Sequence, residues 1–355
     1  MAADVELDTT AETSMTPNTK KYSSIDKAPL LAQIRAADLS KTAIFLGMGV
    51  DPDGLASQAV MAEIVQLADG NAECFFRGTF NRPENRVFRQ VLNLNPRAES
   101  EFDPTEAWTC IISVDGPAEA CPIQPDFIID HHEQVEGAKV ASDVRLVGAC
   151  SSIIWEYALE AGVDFTTENG QRLATALAMG IKTDTRDGAV DAASSIDYEA
   201  LTYCLSHKDN KLYKEVIDYS RPAYYHDLFV VGWTNKIIEG AVLVTGIGSI
   251  PATRSGIISD LADKFVITEG IHTAVVFAIV SGAIEISVRS KNAALNVSEF
   301  VQNAFGGGGG KPGAGRVRIP MPLFENLPED LSDMLFESCF KIVKHKALQI
   351  AGDKK

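Results

Sequence analysis

FIIDHH, residues 127–132, is an apolar run that stops at an aspartate and two histidines. Phe127, Ile128 and Ile129 read as a buried strand, and Asp130, His131 and His132 gather at its carboxyl end. That is where open α/β sheets hold their ligands. The chain has six histidines and sets two of them side by side behind an acid. Burying such groups without a partner is costly, and a metal ion is one partner that removes the cost.

Three further apolar segments run into acids in the same way. AIFLGMGV (43–50) leads into VDPDGLAS, with Asp51 and Asp53; IISVDG brings Asp115; GIKTDT, at the end of a helical pattern, brings Asp184. Proline and glycine around Asp51 and Asp53 set a turn, so these alternate carboxylates converge instead of facing opposite ways as they would on a strand. A mixed oxygen and imidazole donor set suits Mn2+, Mg2+ or Zn2+, with manganese favoured. Two ions roughly 3.5–4 Å apart would activate water and neutralise a phosphoryl oxygen.

Between these segments the pattern alternates. SQAVMAEIVQLA (57–68), VFRQVLNL, CSSIIWEYALEAG and NGQRLATALAMGIKTDT have helical spacing; AECFFRG and CIISVDG read as strands. Such alternation predicts an α/β fold with a mostly parallel, doubly covered sheet. The texture turns polar and aromatic over 205–227. From 228 onward LFVVGW, GAVLVTGIG, FVITEG, TAVVFAIV and AIEISVRS read as β-rich, with ATRSGIISDLADKF a helix among them and MLFESCFKIVKHKALQIAG a terminal helix. The expected organisation is a disordered tail (1–24), a first domain (25–204), a linker (205–227) and a smaller mixed α/β domain (228–345), with a cleft between the domains.

The 355 residues carry a net charge of −16 with 46% hydrophobic content. That length allows two cores, and the acidity argues against binding long duplex nucleic acid, which needs a basic footprint. It leaves room for a small phosphate-containing ligand or a short single-stranded RNA held by metals and a few basic residues. No uncharged apolar run reaches 18 residues, so no membrane span is expected. The N-terminus lacks a basic stretch followed by an apolar one, and the six cysteines lie far apart with no CxxC pair. Both features point to a cytoplasmic protein with reduced thiols.

Taken together, VDPDGLAS, VDG, IDHH, GACSSIIWEYA and MGIKTDT resemble, in order, the motifs of the DHH phosphoesterase superfamily. ISVRSK and FGGGGGKPGAG, over 305–315, resemble the substrate-binding strand and loop of its accessory domain. The branch most similar holds oligoribonucleases, bisphosphate phosphatases, cyclic dinucleotide phosphodiesterases and exopolyphosphatase-like proteins. The resemblance implies a metal-dependent phosphoesterase acting on a small nucleotide or short oligonucleotide. Asp53, His131 and Asp184 would hold one metal, with Asp115 bridging to a second ion on Asp51. His132 would orient a ligand or the attacking water. Arg289, Gly308, Gly309, Gly310 and Lys311 would hold the substrate phosphate. A homodimer is compatible with it.

Two positions depart from the pattern. The family places a histidine four residues before Asp51, or an aspartate two before it; here these are Gly47 and Gly49. Met48, between them, offers a thioether, a poor manganese ligand. The implied centre has one intact metal site and one weakened site. The loop histidine is replaced by Gly310, and Lys311 restores some charge without reproducing an imidazole's placement. These losses leave an alternative open, a weakly active or inactive paralogue that binds nucleotides or a protein partner.

Overall fold

The computed structural model describes residues 29–47, 49–132, 140–190, 192–324 and 327–349. The expectations for the 1–24 tail and for Met48 lie outside the described residues. The first half of the chain runs α1 (Pro29–Ala36), β1 (Thr42–Leu46), α2 (Pro52–Leu67), β2 (Ala72–Phe76), α3 (Pro83–Val91), β3 (Arg97–Ala98), β4 (Cys110–Val114), β5 (Phe127–Asp130), β6 (Ala141–Val144), α4 (Cys150–Ala161), α5 (Glu168–Thr185), α6 (Ser195–His207) and α7 (Asn210–Ile217). The second half runs α8 (Ala223–Asn235), β7 (Ile237–Glu239), β8 (Val242–Ile250), α9 (Gly256–Phe265), β9 (Thr273–Val280), β10 (Ala283–Ser290), α10 (Val297–Phe305), β11 (Gly309–Lys311), β12 (Ala314–Pro320) and α11 (Glu329–Ala347).

The first sheet has the order β3-β2-β1-β4-β5-β6, and every pair in it is parallel. The chain winds outward from β1 to β3 and returns to lay β4 against the other side of β1. That reversal makes a crevice at the carboxyl ends of β1 and β4. One face carries the helices: Ile44, Leu46, Ile112, Val114 and Ile129 pack with Leu55, Ile153, Trp155 and Leu177. The alternate residues Phe45, Phe75 and Ile111 meet Phe102, Trp108 and Cys121 on the other face. The sheet is thus covered on both sides, but the second cover is an aromatic layer. Phe102 meets Phe45 edge-on at 4.9 Å and stacks on Trp108 at 5.3 Å.

The second sheet, β11-β12-β10-β9-β8-β7, is mixed: β8 and β9 are parallel and the other pairs antiparallel. Its strands alternate between two cores. Leu243, Ile247, Ala274 and Val276 pack on α8 and α9, whereas Val244, Val275, Phe277 and Val288 pack on α10 and α11. The changeover between the first core and these two falls between Val216, in α7, and Tyr225, in α8. The 205–227 stretch therefore contains α7 and the start of α8.

Two segments read as β-rich are not strands. LFVVGW lies inside α8, where Tyr225 and Gly232 are buried and Val230, Val231 and Trp233 are exposed. A six-residue apolar run has no decisive period, and here the helical face wins. FVITEG closes α9 and turns into β9. The glycine-dense 305–315 stretch also differs from an open loop. After Gly306, the left-handed C-cap of α10, the chain forms a two-stranded ribbon that pairs Gly309 with Arg316 and Gly310 with Gly315.

Candidate metal and phosphate site

Three strand ends and one helix end bring the acids together. Asp51 caps α2: its Oδ1 accepts the Gly54 N–H at 3.1 Å. Asp53 sits in the first turn of that helix and is fully buried. Its two carboxylate oxygens accept the backbone N–H groups of Cys150 and Ser151, each at 2.8 Å. The N-terminus of α4, a natural anion site, therefore orients this carboxylate. Asp115 follows β4 at φ 57, a left-handed conformation uncommon for a residue with a side chain. Asp184 lies in the last turn of α5. That helix crosses close to α2 and α4 at Gly180, where a Cβ would meet Ser151 Oγ and lie 3.0 Å from Asp53 Cα.

His131 is the hub. Its Nδ1 faces the Val147 carbonyl at 3.0 Å, so Nδ1 carries the proton and Nε2 is left as the donor atom toward the acids. Nε2 lies 3.7 Å from Asp53, 3.4 Å from Asp115 and 3.4 Å from Asp184. Asp130 turns away from the cluster and organises the histidines. Its Oδ1 accepts the N–H groups of His131 and His132, and it holds His132 Nδ1 at 2.8 Å.

The electrostatics describe a site waiting for positive charge. Burial first, then the neighbouring Asp53, holds the Asp115 carboxyl well above its ordinary range. Burial and then Asp184 raise Asp53, and the same causes push Asp51 up to about 6. Burial alone would lower the pKa of His131. Its hydrogen-bonding and charge contacts with Asp115, and the charge of Asp53, overcome that and push it up to about 10. Asp115 Oδ1 and His131 Nε2 are both buried and face each other without a hydrogen bond of good geometry. Buried, unpaired donor atoms of this kind fit a divalent cation.

Among the described residues, two groups can hold an ion: Asp53, His131 and Asp184, and also Asp115, His131 and His132. They are not equivalent. Both call on His131, whose Nδ1 is turned to Val147, so one ring nitrogen is left to share; His132 Nδ1 is already engaged by Asp130. One site is well formed and its neighbour is weaker. Asp51 belongs to neither group and is used as a helix cap.

Position 47, where the resemblance places a histidine, is closed to any side chain. A Cβ on Gly47 would lie 2.6 Å from Asp115 O and Gly116 N, and closer still to Gly116 Cα. Gly47 has no positive φ; the end of β1 has closed onto the backbone that follows β4, tied by Gly47 N–H to Val114 O at 2.9 Å. No histidine fits at this position without moving the strand ends. Gly49, in contrast, has open space around it. Gly310 is closed as well, since its Cβ would run into Ala314 O and lie 2.7 Å from Gly315 Cα.

From the second domain, Arg289 lies at the end of β10, 9% exposed, with Nε on Asp263 at 2.6 Å and Nη1 on Ser287 Oγ at 3.0 Å. Burial lowers its pKa, partly offset by Asp263, and the nearby Arg82 and Arg186 lower it further. Arginines from both domains therefore approach one another. Lys311 reaches across from β11 to Asp184, with Nζ 3.4 Å from Oδ2. Asn81 Nδ2 bonds Ser255 Oγ at 3.0 Å along the same seam. Gly309 and Gly310 are ribbon residues, and Gly308 precedes them at φ 86.

Asp197 had no place in the sequence reading. Buried, it accepts Gly148 N–H at 2.8 Å, Ser152 Oγ–H at 2.6 Å and Ser194 N–H at 2.8 Å. It thereby fixes the loop that aims α4 at Asp53. Its sequence signal was a capping box, Ser194 followed three residues on by the acid.

The fold, a parallel-sheet domain followed by a mixed α/β domain, is shared with a solved structure. The exopolyphosphatase-related protein of Bacteroides fragilis superposes over 90% of this chain and 96% of its own, with a TM-score of 0.61 at 14% identity. No family model matches the chain. An uncharacterized protein of Methanocaldococcus jannaschii is 28% identical over 335 residues, 92% of this chain, and the chain spans 65% of that relative's length. No helix among the described residues is long and apolar enough to cross a membrane.

Proposed function

We propose that the chain is a metal-dependent phosphoesterase that hydrolyses a phosphate ester in a small nucleotide or the end of a short single-stranded oligonucleotide. One observation carries this reading: three buried donors, Asp53, Asp115 and His131, converge with the half-buried Asp184 at the sheet's switch point, where Lys311 reaches in from the second domain. A divalent ion such as Mn2+ or Mg2+, when bound, supplies Lewis acidity toward water and a phosphoryl oxygen.

The protein's own groups do the rest. Asp53, His131 and Asp184 would hold the ion, with Asp115 beside His131 as a further donor. The α4 N-terminus aims the Asp53 carboxylate, and its Ser151 N–H works against the upward pull of burial and Asp184 on the Asp53 pKa. His132, tied to Asp130, is half-buried beside Asp115 and orients the attacking water or a ligand. Arg289, held by Asp263 and Ser287, the Lys311 ammonium and backbone N–H groups around Gly308–Gly310 receive the phosphate, so the two domains contribute opposite sides of the site. The acidic surface, net −16, favours a short ligand over duplex nucleic acid.

The closed Gly47 and Gly310 positions favour a second reading, a slow or inactive relative that only binds nucleotides. One experiment separates the two. Purified protein with Mn2+ is assayed on short RNA, adenosine 3′,5′-bisphosphate, cyclic dinucleotides and polyphosphate. Turnover of one substrate that is abolished by Asp53→Asn supports the phosphoesterase. Nucleotide binding with no turnover of any of them refutes it.

A further inference from the structure

We propose that Arg316 and Arg318 form a phosphate track on the second sheet, which holds the outer nucleotides of a single-stranded oligonucleotide whose terminal phosphate lies at the acid and histidine cluster. The inference rests on the phosphoesterase reading and deepens it, because it selects an oligonucleotide over a single nucleotide.

Strand register builds the track. Residues directly opposite in an antiparallel pair share one face of the sheet. Lys311 of β11 is opposite Ala314 of β12, which is opposite Arg289 of β10. The next row on that face is Gly309, Arg316 and Ser287, and the row after it pairs Arg318 with Glu285. The first row touches the first domain, since Lys311 Nζ lies 3.4 Å from Asp184 Oδ2. Rows two residues apart are separated by about 6.4–6.8 Å along a strand. That step is comparable with the spacing of phosphates along an extended single strand. In polyphosphate, neighbouring phosphorus atoms share one oxygen and sit much closer together, so that chain matches the rows less well.

The face is open where the track runs. Over β8 and β9 it is covered by α8 and α9, which pack on Ala274 and Val276. On β10, Glu285, Ser287 and Arg289 are buried. Farther out, β12 turns Val317 into the other core and leaves Arg316 and Arg318 44% and 49% exposed. Gly309, opposite Arg316, adds no side chain to block a ligand.

One carboxylate aims both guanidinium groups. The buried Glu285 accepts Arg316 Nη2–H on one oxygen and Arg318 Nη1–H on the other, the latter at 2.6 Å. A single negative charge cannot cancel two positive ones, and each guanidinium has five N–H donors. The fixed forks therefore keep donors for phosphate oxygens. The sequence around them agrees. From Phe300 to Phe324 there is no acid, while Lys311, Arg316 and Arg318 fall there, in a chain of net charge −16. A basic strip that continues outward from the site is how a single strand is tracked by its backbone.

The test uses the full chain with Mn2+ and single-stranded RNA of one, two, three, four and eight nucleotides, with phosphorothioate linkages to slow cleavage and chromatography to check integrity. Titration calorimetry should show affinity rising with length up to about three nucleotides, one per row, and then levelling. Arg316→Gln and Arg318→Gln should each weaken the trinucleotide roughly three- to tenfold and leave the mononucleotide unchanged. Each should also reduce the slope of log affinity against log salt by about 0.7. Arg318→Lys should keep the parent slope. In each single variant the other arginine still pairs with Glu285, and thermal melts establish that the variants are folded. Ion pairs with a structural part alone would lower the melting temperature and leave the slope untouched. Affinity that is flat from the mononucleotide onward, or an unchanged slope in both glutamine variants, overturns the proposal. Polyphosphate bound more tightly than RNA with the same arginine dependence overturns the oligonucleotide assignment. Turnover is scored separately on unmodified RNA. Length-dependent binding with no cleavage sinks the phosphoesterase reading and leaves the track standing; cleavage with no length dependence does the reverse.

Discussion

Restoring a histidine at position 47 should not rebuild the second metal site; it should loosen the first domain. A Cβ there falls 2.6 Å from Asp115 O and Gly116 N, both backbone atoms that cannot rotate away. The ends of β1 and β4 must part to admit it. That motion stretches the Gly47 N–H to Val114 O bond, now 2.9 Å, and disturbs Ser113 Oγ–H to Gly116 O at 3.1 Å. Overpacking of this kind costs about 1–3 kcal/mol, and a lost backbone hydrogen bond adds about 1. For a domain of this size the melting temperature should fall by roughly 4–16 °C. Gly47→Ala should show most of the same loss, because the Cβ alone makes the clash. Gly49→Asp, with open space around it, should melt like the parent and raise occupancy of the weaker Mn2+ site. Calorimetric melts of the metal-free variants, followed by Mn2+ dialysis, give both readouts. A Gly47→His protein with parental stability and two tightly held ions would show that the steric reasoning is wrong.

Mn2+ affinity should rise about tenfold per pH unit between pH 6.5 and 8.5. His131, pushed up to about 10 without the ion, must lose its Nε2 proton to bind. Below that pKa the proton competes, so binding should release at least one proton, which calorimetry in buffers of different ionisation enthalpy detects; pH-independent affinity would contradict it. Arg289→Ala should weaken binding of a nucleoside monophosphate roughly ten- to a hundredfold, the loss of about 1.5–3 kcal/mol for a charged hydrogen-bond partner, with Mn2+ content unchanged. Equal nucleotide affinity in titration calorimetry would place the phosphate elsewhere. Asp197→Asn should cost about 2–4 kcal/mol, since an amide turns a donor toward Gly148, Ser152 and Ser194 N–H or O–H groups. It should also weaken Mn2+ through the shifted α4 N-terminus. A variant that melts lower yet holds Mn2+ as tightly as the parent would limit Asp197 to a structural part.

The acids and histidines at segment ends were legible in the sequence because strand alternation and turn chemistry are local. Apolar runs ending in VDPDG, VDG and IDHH announce parallel strands with their ligands at one edge, and the structure has that edge. The parallel sheet and a second, mixed α/β domain followed from the same patterns, and the missing donor at 47 from the resemblance to the family's motifs. What local pattern could not decide was anything set by approach between distant backbones. Gly47 reads as a missing side chain, yet only the packing of β1 against Asp115 and Gly116 shows that no side chain can return. LFVVGW looked like a strand because six apolar residues have no clear period, and its helix appears only when Tyr225 and Gly232 find a sheet to face. The glycine run looked like an open phosphate loop, but its pairing with Arg316 and Gly315 turns it into a ribbon. That ribbon is what carries Lys311 to Asp184, a contact between residues 127 apart that depends on both domains being folded and docked.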